Sequence, residues 1–192
     1  MTWLPAFKVG VWNAWILMLF YPLLPYVMRA VDKAVGTGKI FEKMGDVPTD
    51  PAQKRANQIS MLLIYVLLAY SIFLPLKRGE AWLIAGVVLY VIGLIGLLAS
   101  LIHAATVPIG QLFTQGIYQY SRHPMYFSFM IIFISVGIAC ASWVFLLVTA
   151  AYAKMMVDQA GVEERGCLET FGGEYQKYAE KTPKWIGLPK SR

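Results

Sequence analysis

The feature that most limits what this chain can fold into is a succession of long apolar stretches parted by short polar ones. They cover about Val11–Met28, Ile59–Leu76, Ala81–Ile102, Pro124–Ala141 and Val144–Val162. A membrane-crossing helix needs about 20 mostly apolar residues, and each stretch comes close to that. Charged residues make up 15% of the chain, against about 25% in a soluble domain. The expected fold is therefore all-α: a polytopic membrane protein with about five transmembrane helices. It reads as a single integral-membrane domain over residues 1–192. Residues 1–103 would hold three N-terminal spans, and 104–192 a loop, a helical hairpin and a C-terminal cap.

Local signals refine this outline. Pro22 and Pro25 lie inside the first stretch and free backbone carbonyls, which predicts a kink or a compensating neighbour. Lys8 is the lone basic residue before that stretch, and no small-residue cleavage site follows it, so a retained first span is expected. Arg29–Arg55 reads as a polar loop containing the turn-prone Gly45–Pro51, and Lys77–Glu80 as a tight turn. On the third stretch Gly86, Gly93 and Ser100 recur every seven residues, with Gly96 nearby. Such a stripe lets another helix approach closely. His103 ends that stretch and reads as an interfacial residue. The loop Ala104–His123 carries no charge until Arg122; ordered loops of this length tend to be functional. Ser142-Trp143 alone interrupts the last two apolar runs, so they should form a tight antiparallel hairpin. The tail from Glu163 onward places Leu168, Phe171, Tyr175 and Tyr178 on one helical face, broken by Gly172-Gly173. It reads as two short helices capping the membrane surface.

The net charge of +6 is spread over loops and tail and not gathered on one soluble domain, which argues against nucleic acid as a partner. With five spans, Lys8, Lys77 and Arg78 fall on the N-terminal side. Arg29, Lys33, Lys39, Lys43, Lys54, Arg55, Arg122, Arg165 and the basic residues from Lys177 onward fall on the other. The positive-inside rule then places the C-terminus in the cytosol and the N-terminus opposite. Cys140 and Cys167 are too few for a disulfide framework.

The chemistry-bearing stretch is Gly116-Ile117-Tyr118-Gln119-Tyr120-Ser121-Arg122-His123-Pro124-Met125-Tyr126. Proline is tolerated in the first turn of a helix, where its missing amide would be unpaired anyway. Pro124 should start a helix with Arg122 and His123 at its mouth. At 1.5 Å per residue, the last span should return Glu163 and Glu164 to that same mouth. The set could be a salt-bridged helix end. No consistent metal-ligand spacing joins one histidine to two glutamates, and neither Ser121 nor Cys167 has a base and orienter in sequence. The set also suits a ligand carrying both a carboxylate, for Arg122, and a cationic centre, for the glutamates.

The segment from Gln115 to Tyr126, followed one hairpin later by Glu163-Glu164 and by Phe171-Gly172-Gly173-Glu174-Tyr175-Gln176-Lys177-Tyr178, resembles the isoprenylcysteine carboxyl methyltransferase family, a group that also contains the phospholipid N-methyltransferases. The likeness covers about Leu112 to Pro189. It implies an integral-membrane enzyme that uses S-adenosylmethionine in a cytosol-facing pocket. Gly116, Tyr118, Arg122, His123, Tyr126, Glu163 and Glu164 would line or shape that pocket, with Arg122 and Glu164 nearest the reaction and no metal. The acceptor would be lipid-like, enter from the bilayer, and be a prenylcysteine-type carboxylate or a phospholipid amine. Ile117 and Lys184 depart from the family pattern, where proline and arginine are common, and Thr106–Gln111 lacks a histidine found in several relatives. Membrane sterol reductases, which use NADPH, share the Arg-His-Pro element; Cys167 and Phe171-Gly172 echo their pattern. The Glu163-Glu164 pair favours the methyltransferase. A non-enzymatic membrane protein is the third reading, and the sequence leaves the oligomeric state open.

Overall fold

A computed structural model describes residues 7–36 and 51–190. Its elements are helices: α1 (Trp15–Met18), α2 (Phe20–Val35), α3 (Pro51–Ser71), α4 (Ala81–Thr106), α5 (Pro124–Ala139), α6 (Trp143–Phe171) and α7 (Gly173–Lys181), with a 3-10 turn at Gly116–Gln119. Among the described residues no strand forms beyond a single bridge between Asn13 and Pro75. The all-helical expectation holds. Among the described residues two helices are long and apolar enough to cross a membrane, α1–α2 together (Trp15–Val35) and α4, and α5 is a shorter apolar helix.

Several boundaries differ from the sequence reading. Pro22 withholds the amide that would reach the Met18 carbonyl, and the first helix is interrupted there, between α1 and α2. The loop expected from Arg29 is helical to Val35, because nothing between them breaks a helix. The expected turn over residues 45–50 lies outside the described residues, and Pro51 opens α3. That helix ends at Ser71, short of Leu76. Pro75 disfavours helix in the residue before it, and the segment's backbone is claimed elsewhere. Leu74 O accepts from Ala14 N at 2.8 Å, and Asn13 Nδ2 donates to Ile72 O at 2.7 Å.

The described residues form two compact units. The first comprises 7–23, 51–94 and 129–157. Its core is aromatic: the Phe20 ring meets Tyr90, Phe129 and Phe133, and the fully buried Phe133 meets Tyr152 at 5.2 Å. The small-residue stripe does what close packing requires. A Cβ on Gly86 would stand 2.6 Å from that of Ala139, and one on Gly93 would stand 2.6 Å from the Ile132 side chain. Three residues join α5 to α6. Ala141 turns the chain with φ 51°, and Ser142 Oγ accepts from Phe145 N at 3.3 Å to cap α6. The tight hairpin is there.

The second unit comprises 24–36, 95–128 and 158–190. Here the stripe continues: a Cβ on Gly96 would lie 2.6 Å from Ser128 Oγ, and Ser100 is fully buried. The start of the expected Ala104–His123 loop is helical, since α4 runs on to Thr106. The first of the two short tail helices is likewise not separate. It is the continuation of α6, and only Gly172, at φ 51°, breaks the chain before α7. Left-handed backbone of this kind costs a glycine nothing.

Candidate active site

The candidate site lies wholly in the second unit and begins with the entry to α5. Ser121 Oγ accepts from His123 N at 3.1 Å, and His123 O accepts the first helical bond from Phe127 N. This local capping fixes Arg122 and His123 at the helix mouth. Two turns before its end, α6 presents Glu163 and Glu164 to them. Arg122 Nη2 lies 3.1 Å from Glu164 Oε1, and His123 Nε2 lies 3.2 Å from the same oxygen. The Tyr126 hydroxyl donates to Glu163 Oε1, and His123 Nδ1 stands 3.7 Å from Glu163 Oε2. The return of the glutamates to the arginine and histidine, expected from helix length, is realised.

A cavity of about 540 Å³ opens over this cluster, a size within the usual range for small-molecule sites. Tyr118, Arg122, His123, Tyr126, Glu163 and Glu164 all line it. Gly116 does not. It holds φ 57° beside the His103 ring, and a Cβ there would come 3.1 Å from His103 Nδ1, so it shapes the turn that delivers Tyr118. Phe171, Tyr175 and Tyr178 also line the cavity, whereas Leu168 is exposed. The aromatic face of the tail is thus turned to the site.

Four contacts of the site were not read from the sequence. Lys184 Nζ lies 3.0 Å from Glu164 Oε2, so this carboxylate is held by a cation on each oxygen. Trp185 sets its ring 6.0 Å from that of His123. The Tyr178 hydroxyl donates to Tyr118 O at 2.7 Å and ties α7 to the 3-10 turn. Gln159, one helical turn before Glu163, hydrogen-bonds to it. For Lys184 the signal was its place where arginine is common in the resemblance. For Gln159 it was the i, i+4 spacing.

Burial and charge set the protonation states. Burial pushes His123 below the ordinary histidine value of 6.5, although Glu164 pulls the other way, so the imidazole is neutral at pH 7. Burial raises Glu163, with hydrogen bonds from Tyr126 and Gln159 resisting. Burial would raise Glu164 too, but Lys184, Arg122 and His123 together outweigh it and hold the carboxyl below its ordinary value. Adjacent carboxyls are therefore driven apart, a pattern typical of functional sites. Burial and the two glutamates raise the Cys167 thiol, which makes it a poor nucleophile. Among the described residues no group of histidine, cysteine and carboxylate side chains is arranged to hold a metal ion.

Chemically, the site offers cations for an anionic group, a carboxylate and a neutral imidazole for a cationic or protic group, and aromatic walls for a flat ring. Arg122 Nε is buried with no hydrogen-bond partner among the described residues. Residues 81–174 match the phospholipid methyltransferase family, over just under half of the chain. No curated protein matches it. The matched stretch contains α4, the motif, the hairpin and Glu163-Glu164, and is similar to a family of membrane methyltransferases. That similarity and the two apolar helices support a membrane location.

Proposed function

We propose that this protein transfers a methyl group from S-adenosylmethionine to a lipid-like acceptor at the cavity over Arg122, His123, Glu163 and Glu164. One observation supports the reading: the family match spans the cavity's lining apart from Tyr175 and Tyr178. The donor set fits the cofactor. Arg122 would hold its carboxylate, Glu164 its ammonium group, and the rings of Phe113, Tyr118 and Tyr175 its flat base. When bound, it supplies a methyl group on a positive sulfur. The protein's part is to orient the acceptor in line and exclude water. The aromatic and apolar lining supports both.

The acceptor follows from the polar groups. An amine must lose a proton before it can attack, and the neutral, buried His123 is suited to take it; this supports a phospholipid amine, in agreement with the family match. A prenylcysteine-type carboxylate is the second reading. It needs no base, and it is favoured by the motif order and by the two cations on Glu164. Five spans, a cytosolic site and lateral entry from the bilayer complete the proposal. The test is calorimetric titration of the detergent-purified protein with S-adenosylmethionine. Mass spectrometry of a membrane extract incubated with the labelled cofactor follows. Absence of binding, or tight binding of NADPH in its place, overturns the reading. Label on a phospholipid amine or on a prenylcysteine carboxyl decides between acceptors.

A further inference from the structure

The tail beyond α7 is stitched onto the motif. Arg122 N donates to Pro183 O at 3.0 Å, and Gly187 N donates to Tyr120 O at 3.0 Å. Ser121 Oγ lies 3.4 Å from Lys184 O, and Arg122 Nη1 lies 3.4 Å from Ala179 O. Thr182 is buried, and Lys190 N closes the segment by donating to Lys181 O at 2.9 Å. A surface tail gains nothing from this many backbone ties on both sides of one lysine unless the lysine's place matters. Lys184 is the residue so placed. Its ammonium takes Oε2 of Glu164 while Arg122 and His123 take Oε1. A carboxylate with donors on both oxygens has its plane and rotamer fixed, which one donor alone does not achieve.

We infer that the strap from Thr182 to Gly187 is part of the active site, and that Lys184 is a positioning residue that fixes the Glu164 carboxylate toward the ligand. The inference rests on the proposed function only for what Glu164 then holds; the fixing itself is a property of the ligand-free protein. Glu164 is faced by Lys184 from the strap, by Arg122 and His123 from the α5 mouth, and by Glu163 and Cys167 from its own helix. Tyr175 faces it from α7. Of these, Arg122 and Lys184 are the cations, so removing Lys184 removes one of two counter-charges.

The experiment is a carbon-13 NMR titration of ligand-free protein labelled at the glutamate carboxyl carbons in detergent, with Glu164 assigned from Glu164→Gln. It is run on the native chain, Lys184→Met and Lys184→Arg, with hydrogen exchange at the Arg122 and Gly187 amides reporting whether the strap stays docked. Loss of an opposite charge this close raises a carboxyl by about one pH unit or more. In Lys184→Met the Glu164 midpoint should move up by that amount, and Lys184→Arg should restore it. If the strap undocks in Lys184→Met, Lys184→Arg must restore docking and midpoint together. An unchanged Glu164 midpoint in Lys184→Met, or failure of Lys184→Arg to restore it, overturns the inference. Neither outcome depends on methyl transfer, so a failed methyltransferase assay leaves this result standing by itself.

Discussion

The Arg122–Glu164 pair is the most exposed joint of the reasoning, and its strength can be worked from the geometry. At 3.1 Å and an effective dielectric constant near 20, the gross attraction is about 5 kcal/mol. The two side chains are 17% and 19% exposed, so part of that attraction is offset by desolvation and part is screened. Truncating one partner of a well-buried pair costs about 3–5 kcal/mol, largely because the other charge is left behind. Arg122→Met leaves Glu164 with Lys184, so a smaller loss of about 1–2 kcal/mol is expected, by discounting that range. Glu164→Gln leaves Arg122 and Lys184 without their shared counter-ion, and about 3 kcal/mol is expected.

For a chain of this length each kcal/mol moves the midpoint of thermal unfolding by about 2–4 °C. Glu164→Gln should therefore fall by about 6–12 °C and Arg122→Met by about 2–8 °C. The double variant should sit near Glu164→Gln alone, since the cost of each single change is the partner it strands. Thermal unfolding of the four proteins in one detergent reads this directly. Additivity within about 0.5 kcal/mol would mean that the two groups do not act as a pair. That result would refute the electrostatic account of the site.

Acid should destabilise the fold in a way traceable to His123. Because the folded state holds its pKa below 6.5, the unfolded chain binds that proton more readily, so stability falls as pH drops below about 6.5. Glu164, also lowered, adds a loss at lower pH, whereas the raised Glu163 opposes it. In His123→Gln the share of this loss due to His123 should be gone, seen as a flatter melting profile between pH 6.5 and 5, roughly. Tyr126→Phe deletes the donor to Glu163 and should cost about 1–2 kcal/mol, measured by the same melts, with little change in a control such as Tyr65→Phe on the exposed side of α3. Gly86→Ala forces a Cβ into contact with Ala139 and should cost about 1–3 kcal/mol, while Gly166→Ala, with open space around it, should not.

Much of this was legible in the sequence because it follows from composition and period. Apolar runs gave helices, Pro124 gave the start of α5, Ser142 the start of α6, and Gly172 the break before α7. The Gly86-Gly93-Ser100 spacing gave a packing stripe. The pairing of Arg122 with Glu164 was legible because helix rise converts residue count into distance. What was not legible depends on tertiary partners. Ser71 ends α3 because Asn13 and Ala14 bind the carbonyls beyond it, and no local pattern announces a partner some sixty residues away. The contact of Lys184 with Glu164 was hidden for the same reason: it is set by backbone ties from Pro183 and Gly187 to Arg122 and Tyr120, in a segment without regular structure. Gly116 was placed with the pocket residues on resemblance, yet its contact is with His103.

The charges in the cluster bear on what kind of ligand can enter. Arg122 and Lys184 bring two cations to a site where Glu164 is the firmly ionised carboxylate, His123 is neutral, and Glu163 keeps its proton to a higher pH than a free glutamate. With Glu163 ionised these side chains balance, and with it protonated they are net cationic, while Glu169 on the cavity wall adds a further carboxylate. Arg122 and Lys184 favour a ligand that carries its own anion. A zwitterionic ligand meets that condition, its anion drawn by Arg122 and Lys184 and its cation by Glu164. Methyl transfer makes a stricter demand, since a positive sulfur loses its charge as the methyl leaves. A cluster of unpaired carboxylates would stabilise the starting state and slow the step. On the proposed function, the cation on each oxygen of Glu164 is therefore more than a structural tie: it would keep this carboxylate from holding the reactant too well.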